Sequence, residues 1–132
     1  MQYSDEVMKH FSSPHNVGEI ENADGIGEVG NPKCGDMMKI TIKVGKKDGK
    51  EYIEDVKFLT LGCAAAIAAS SMMTDLSKGK TLDEALEITR DDINDSLGKL
   101  PAQKYHCSIL SAEGIHKAIE DYKNKSKIQL KN

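Results

Sequence analysis

Met38-Lys39-Ile40-Thr41-Ile42-Lys43-Val44 alternates apolar and polar side chains without a break, which is the two-residue period of a strand with one buried face. Toward the C-terminus, Asp48-Gly49 is a tight-turn pair, and the chain from Tyr52 to Leu61 returns as a second strand. A simple hairpin register points Val56 and Phe58 inward, but Glu54-Asp55 puts two polar residues in succession and leaves that register open. Past Cys63 the period changes. Ala64 to Ala69, then Met72, Met73 and Leu76, form an apolar helix with small side chains, suited to close packing as the central helix and ended by Lys78-Gly79.

Further helices follow. Thr81 and Glu84 make a capping-box pair opening a helix over Leu82 to Ile88, and Asp91 or Asp92 can cap a third. Pro101 precedes a last helix in which Ile109, Ala112, Ile115, Ile119 and Tyr122 recur at helical spacing. Upstream, Ser4 can cap a short docking helix whose Val7, Met8 and Phe11 share a face, and Pro14 stops it. A hairpin followed by helices predicts an α+β fold: a small antiparallel sheet of about three strands with helices packed on one face. Residues 1–125 are expected to be one domain, and 126–132, in the lysine-rich stretch that begins at Lys123, a disordered tail.

The chain of 132 residues is 39% hydrophobic and 30% charged, enough for one core, with no Pro/Ser-rich linker to divide it. Its net charge is −3, its basic residues are interspersed with acidic ones, and aromatics amount to 5%, so neither a phosphate-tracking patch nor a base-stacking platform is present. Nucleic acid is therefore not an expected partner. The longest apolar stretch, Ala64 to Ala69, is too short to span a bilayer, and the start, Met-Gln-Tyr-Ser-Asp-Glu-Val, has no apolar export run, so a membrane is not expected either.

The three cysteines carry the chemistry. An odd number with no Cys-x-x-Cys cannot be a disulfide framework, which points to a reducing, cytoplasmic setting where thiols stay free for metal or sulfur. Cys34, in Pro32-Lys33-Cys34-Gly35-Asp36, precedes the first long strand; Cys63 stands between strand and helix; Cys107 lies near the start of the last helix. Such ends can converge at one tip, and Cys63 would feel the positive end of the helix after it, which favours the thiolate. Asp36 and His106 compete for a fourth position. Residues i and i+2 of an extended segment point the same way, so Cys34 and Asp36 can face one metal, whereas His106 and Cys107, being adjacent, diverge unless the backbone is irregular. Asp36 is therefore the favoured labile ligand, with His106 as alternative ligand or proton donor.

Gly25-Ile26-Gly27-Glu28-Val29-Gly30 satisfies a dinucleotide-binding string, but Asn31-Pro32 follows where a helix should begin, so it reads as flexible backbone near Cys34. His10, His15 and His116 sit in polar or helix-surface contexts and read as ordinary surface histidines. A thiol enzyme built on Cys107 and His106 is disfavoured, because adjacent residues rarely present a base to a nucleophile.

From Tyr3 to about Lys125 the chain resembles an IscU-type iron–sulfur cluster assembly scaffold, related to the N-terminal domain of NifU. The resemblance rests on Tyr3-Ser4-Asp5, His15-Asn16-Val17-Gly18, Cys34-Gly35-Asp36, Gly62-Cys63 with Ser70-Ser71, Lys78-Gly79-Lys80 and Lys104-Tyr105-His106-Cys107-Ser108. It implies a scaffold, not an enzyme: Cys34, Cys63 and Cys107 hold a nascent [2Fe-2S] cluster, Asp36 completes the site, and His106 and Lys104 lie beside it. Cys107, near a helix start and beside His106, is the expected first sulfur acceptor. Implied partners are a cysteine desulfurase, apo iron–sulfur acceptor proteins, an electron donor, an iron donor and a second copy of the chain. Leu100-Pro101-Ala102-Gln103-Lys104 replaces the usual Leu-Pro-Pro-Val-Lys, which argues against a dedicated Hsp70-type chaperone. Ala64-Ala65-Ala66 stands where relatives usually carry Gly or Ser. The alternative is a zinc-binding sulfur acceptor of the SufU branch, which typically has a longer stretch between its second and third cysteines.

Overall fold

The computed structural model describes residues 2–31 and 36–131. Its elements are α1 (Asp5–Ser12), β1 (Gly25–Asn31), β2 (Asp36–Lys47), β3 (Lys50–Thr60), α2 (Ala64–Ser77), α3 (Leu82–Leu86), α4 (Arg90–Ser96), a 3₁₀ turn (Ala102–Lys104) and α5 (His106–Lys131). The three strands form one antiparallel sheet in the order β1-β2-β3. Asp48 and Gly49 both take positive φ, 54° and 79°, between the paired Lys47 and Lys50, as a two-residue hairpin turn requires. The register shifts at Lys43/Val44: Lys43 faces Asp55 and Val44 faces Ile53, leaving Glu54 as the extra residue of a bulge. That one residue lets Ile53 and Val56 both point into the core despite their odd spacing.

Met38, Ile40, Ile42, Val56 and Phe58 line the buried face, against which α2 and α5 pack with Met73, Ile115 and Ile119. The helices thus lie on one face, as expected. The opposite face carries Lys39 and Lys43, paired with Glu19 and Asp24. The outer edge of β3 is covered by two short segments: Asn16 to Gly18 exchanges hydrogen bonds with Phe58, and Gly79 and Lys80 do so with Ile53.

Four expectations need correction. The glycine string is neither flexible nor a phosphate loop but most of β1, an edge strand pressed against α5. A Cβ on Gly27 would lie 2.4 Å from the carbonyl oxygen of Gly114, so the glycines bring backbone to backbone. On α1 the buried positions are Val7 and His10, while Met8 and Phe11 are exposed. The cap of α4 is Thr89, whose hydroxyl accepts from Asp92 N–H while Asp92 returns the bond to Thr89 N–H. Finally, the tail expected to be disordered, 126–132, continues α5 as helix as far as Lys131, and Asn132 lies outside the described residues. The Ser4 cap of α1 and the Thr81/Glu84 capping box of α3 are present as read.

Candidate metal centre

One end of the sheet gathers the site. Asp36 opens β2, and at the end of β3 the Thr60 hydroxyl donates to the Met37 carbonyl at 2.7 Å while accepting the Gly62 N–H at 3.1 Å. This folds the chain sharply from β3 into α2, with Gly62 so close to the helix that a Cβ there would lie 2.5 Å from Ala66 Cβ. Cys63 is consequently the N-cap of α2. From the other side, Asn94, nearly buried, accepts the Leu100 N–H at 2.9 Å and fixes the loop that delivers Pro101 to Lys104. Tyr105 is anchored by its hydroxyl to Asp91 and lies under Arg90, whose guanidinium carbon is 5.8 Å from the ring centroid.

His106 begins α5 with its Nε2 3.3 Å from Asp36 Oδ2 and 3.7 Å from Cys107 Sγ. The divergence argued from adjacency is not realised: the irregular 3₁₀ turn just before them lets His106 fold back over the helix end toward its neighbour. Cys107 is fully buried and Cys63 only partly so. Their thiols face each other, with the Lys104 ammonium beside Cys63. Asp36, Cys63, His106 and Cys107 therefore come together, whereas Cys34 lies outside the described residues.

The two described cysteines differ in electrostatics. Burial pushes the Cys107 thiol up to about 12, and the neighbouring Cys63 adds to the shift. For Cys63 burial acts in the same direction, but the N–H groups of Ala66 and Ala65 at the open end of α2, together with Lys104, more than offset it and lower its pKa. Lys104 responds reciprocally: the negative charge on Cys63 raises its pKa. Cys63 is thus the thiol biased toward its thiolate, with a cation beside it, and Cys107 the buried thiol held protonated. A pair of thiols, an imidazole and a carboxylate at one helix-sheet junction is a donor set for iron or zinc.

A second cluster is not evident from the sequence. His10 and His15 are not ordinary surface histidines: they meet Asp75 at the junction of α1 and α2, with His10 buried. The available signal was the apolar spacing of α1, which puts His10 three residues after Val7 and on the same face.

Residues 2–129 match the profile of the family described as NifU-like N terminal domain. The chain is 60% identical over 124 residues to the iron-sulfur cluster assembly scaffold protein IscU 1 of Archaeoglobus fulgidus, covering 94% of this chain and 78% of that one. With the iron-sulfur cluster assembly scaffold protein IscU of Escherichia coli K12 it shares 49% identity over 128 residues, or 95% and 97% of the two chains. Among solved structures, a putative iron-sulfur cluster assembly scaffold protein for the SUF system from Fervidobacterium islandicum superposes with a TM-score of 0.67 at 26% identity, covering 89% of this chain and 96% of that one. An N-terminal NifU-like protein from Brucella abortus gives 0.66 at 18% identity, covering 92% and 94%, a likeness of fold alone.

Proposed function

The chain belongs to the family of NifU-like N-terminal domains, and from that premise we propose that it is a scaffold on which a [2Fe-2S] cluster is built and then handed to apo-proteins, with residues 1–125 as the working unit. The observation that carries this reading is the meeting of Asp36, Cys63, His106 and Cys107 at one end of the sheet. Cys34, two residues before Asp36 in sequence, is the third thiolate of the proposed set. A hard carboxylate and an imidazole among thiolates bind iron less tenaciously than a fourth sulfur would, which suits a cargo that must leave.

Sulfur arrives from a cysteine desulfurase as a persulfide. A scaffold thiolate attacks the terminal sulfur, a new S–S bond forms, and the desulfurase thiolate departs. We assign this attack to Cys63 rather than to Cys107, because Cys63 is partly accessible and its pKa is lowered toward the thiolate, while Cys107 is buried with its pKa raised to about 12. Each transferred sulfur then takes two electrons from an external donor to become sulfide, as an iron donor supplies the metal. A second copy of the chain can contribute ligands, and a dedicated Hsp70-type chaperone is not expected, given Ala102-Gln103.

Anaerobic reconstitution with iron, a cysteine desulfurase, cysteine and a reductant tests the proposal: visible absorption with equal iron and sulfide is expected, followed by transfer to an apo-ferredoxin. Failure to accumulate sulfide under these conditions would overturn it. The same donor set is also a legitimate tetrahedral zinc site, so a zinc-binding sulfur acceptor is the second reading. Stoichiometric zinc as isolated, with persulfide but no cluster on incubation, is the result that would favour it.

A further inference from the structure

We propose that His10, His15 and Asp75 form a second site, for a divalent transition-metal ion, that fastens α1 and the loop after it onto α2. His15 Nδ1 lies 2.7 Å from Asp75 Oδ2, and His10 Nε2 lies 4.0 Å from the same oxygen. The imidazole centroids are 4.9 Å apart with ring planes at 60°, and one ligand atom from each of the three residues falls within 4.8 Å of the other two. A tetrahedral ion with metal–nitrogen and metal–oxygen bonds near 2.0–2.2 Å needs ligand atoms about 3.4 Å apart. The observed 2.7 and 4.0 Å straddle that value. Small rotations of His15 and Asp75, which are 54% and 35% exposed, would close the difference around a fixed, buried His10.

Ser71 supplies the orienting contact. Its Oγ accepts the backbone N–H of His15 at 2.8 Å and lies 2.7 Å from Nδ1 of the buried His10. With the proton on Nδ1 donated to Ser71, the lone pair of His10 Nε2 is free on the side of Asp75, as in histidine ligands generally. Remaining coordination positions open onto a groove bordered by Asp5, Met8, Lys9 and Ser13, where water can complete the shell.

Two imidazoles and one carboxylate select zinc, iron(II) or cobalt(II) over magnesium or calcium. The site is separate from the cysteines: Asp75 is twelve residues along α2 from Cys63, about 18 Å of helix rise. Binding there would hold the native docking of α1 and stabilise it by mass action, since the three ligands come from three segments that the unfolded chain does not bring together.

The test uses full-length protein with Cys34, Cys63 and Cys107 each changed to Ser, titrated with cobalt(II) and then zinc. One equivalent should bind, with d–d bands but no sulfur-to-cobalt charge transfer, and the thermal midpoint should rise. Adding His15→Ala should weaken binding about tenfold or more and abolish that rise. Should the thiol-free protein fail to fold, the wild type answers: zinc stoichiometry falls by one on His15→Ala while the cobalt–thiolate band persists. No binding to the folded thiol-free protein, or a wild-type stoichiometry unmoved by His15→Ala, would overturn the site and leave the trio as a hydrogen-bonded clasp. Equal affinity with and without His15 would mark adventitious binding and overturn it equally.

Discussion

His106 Nε2 stands 3.3 Å from Asp36 Oδ2, so the two candidates for the non-sulfur position are neighbours in one site rather than occupants of separate faces. In the proposed site either group lies within reach of the same position, which makes the choice between them a question for transfer kinetics.

Asp36→Ala should slow cluster transfer to an apo-acceptor and lengthen the life of the cluster on the scaffold, because it removes the hard oxygen and leaves His106 to fill the position. Were His106 the ligand instead, His106→Ala would change the cluster's visible circular dichroism more than Asp36→Ala does, and Asp36→Ala would leave transfer near the wild-type rate. The time course of transfer from the two variants decides; an unaltered rate for Asp36→Ala would refute the role given to it.

Replacing any one of Cys34, Cys63 and Cys107 by Ser should sharply lower bound iron and sulfide while far-UV circular dichroism keeps its native shape. Cys107→Ser alone should also cost about 1–3 kcal/mol in urea unfolding, since a hydroxyl is then placed at a fully buried position. Wild-type cluster content in all three variants would end the idea of a shared site.

Alkylation should discriminate the two described thiols. Cys63 is partly accessible with its pKa lowered by the α2 N–H groups and Lys104, whereas Cys107 is buried with its pKa pushed to about 12, so at pH 8 iodoacetamide should label Cys63 first and Cys107 only in denaturant. Lys104→Gln removes the cation beside Cys63, should raise its pKa, and should slow labelling most below pH 8. Peptide mass spectrometry over a pH series reads both effects.

Gly27→Ala should destabilise the protein by about 1–3 kcal/mol, because the added Cβ meets helix backbone that cannot swing aside. The denaturant midpoint measures it, with far-UV circular dichroism as the check on fold. A midpoint equal to wild type would mean that β1 and α5 are not packed this closely.

A peptide spanning residues 98–106 should bind an Hsp70 that recognises the Leu-Pro-Pro-Val-Lys form only weakly, and Ala102→Pro with Gln103→Val should tighten it. Titration calorimetry giving equal affinities for both peptides would count against this reading.

Much of the architecture was legible because it rests on local periodicity: the hairpin at Asp48-Gly49, the alanine-rich α2 and the Thr81/Glu84 cap need no distant information. β1 was not, since the buried positions of its first half are Gly25 and Gly27, which leave Ile26 and Val29 without the apolar alternation of a strand, and its function of admitting Gly114 of α5 is visible only when both segments are placed. Thr89 is not singled out by the sequence because Thr89, Asp91 and Asp92 all offer a capping oxygen within four residues, and only backbone geometry selects among them. At the sheet end, the sequence brings Asp36, Cys63, His106 and Cys107 to mind but not the burial that sets the two thiols apart: Cys107 lies near a helix start yet is fully buried, which favours Cys63 in the proposal above. The histidines of the α1–α2 junction were missed for the same reason, as their partners lie some sixty residues away.

The hairpin turn gives the molecule a handle. β2 carries Asp36 at one end and Lys47 at the other, so the Asp48-Gly49 tip sits about 35 Å of strand from the ligands, and a Cβ at Gly49 would have nothing within 4 Å. A fluorophore, affinity tag or surface tether attached there would hold the protein by its far pole and leave the opposite end free to meet donor and acceptor proteins, which makes single-molecule observation of repeated loading and unloading feasible on an immobilised chain.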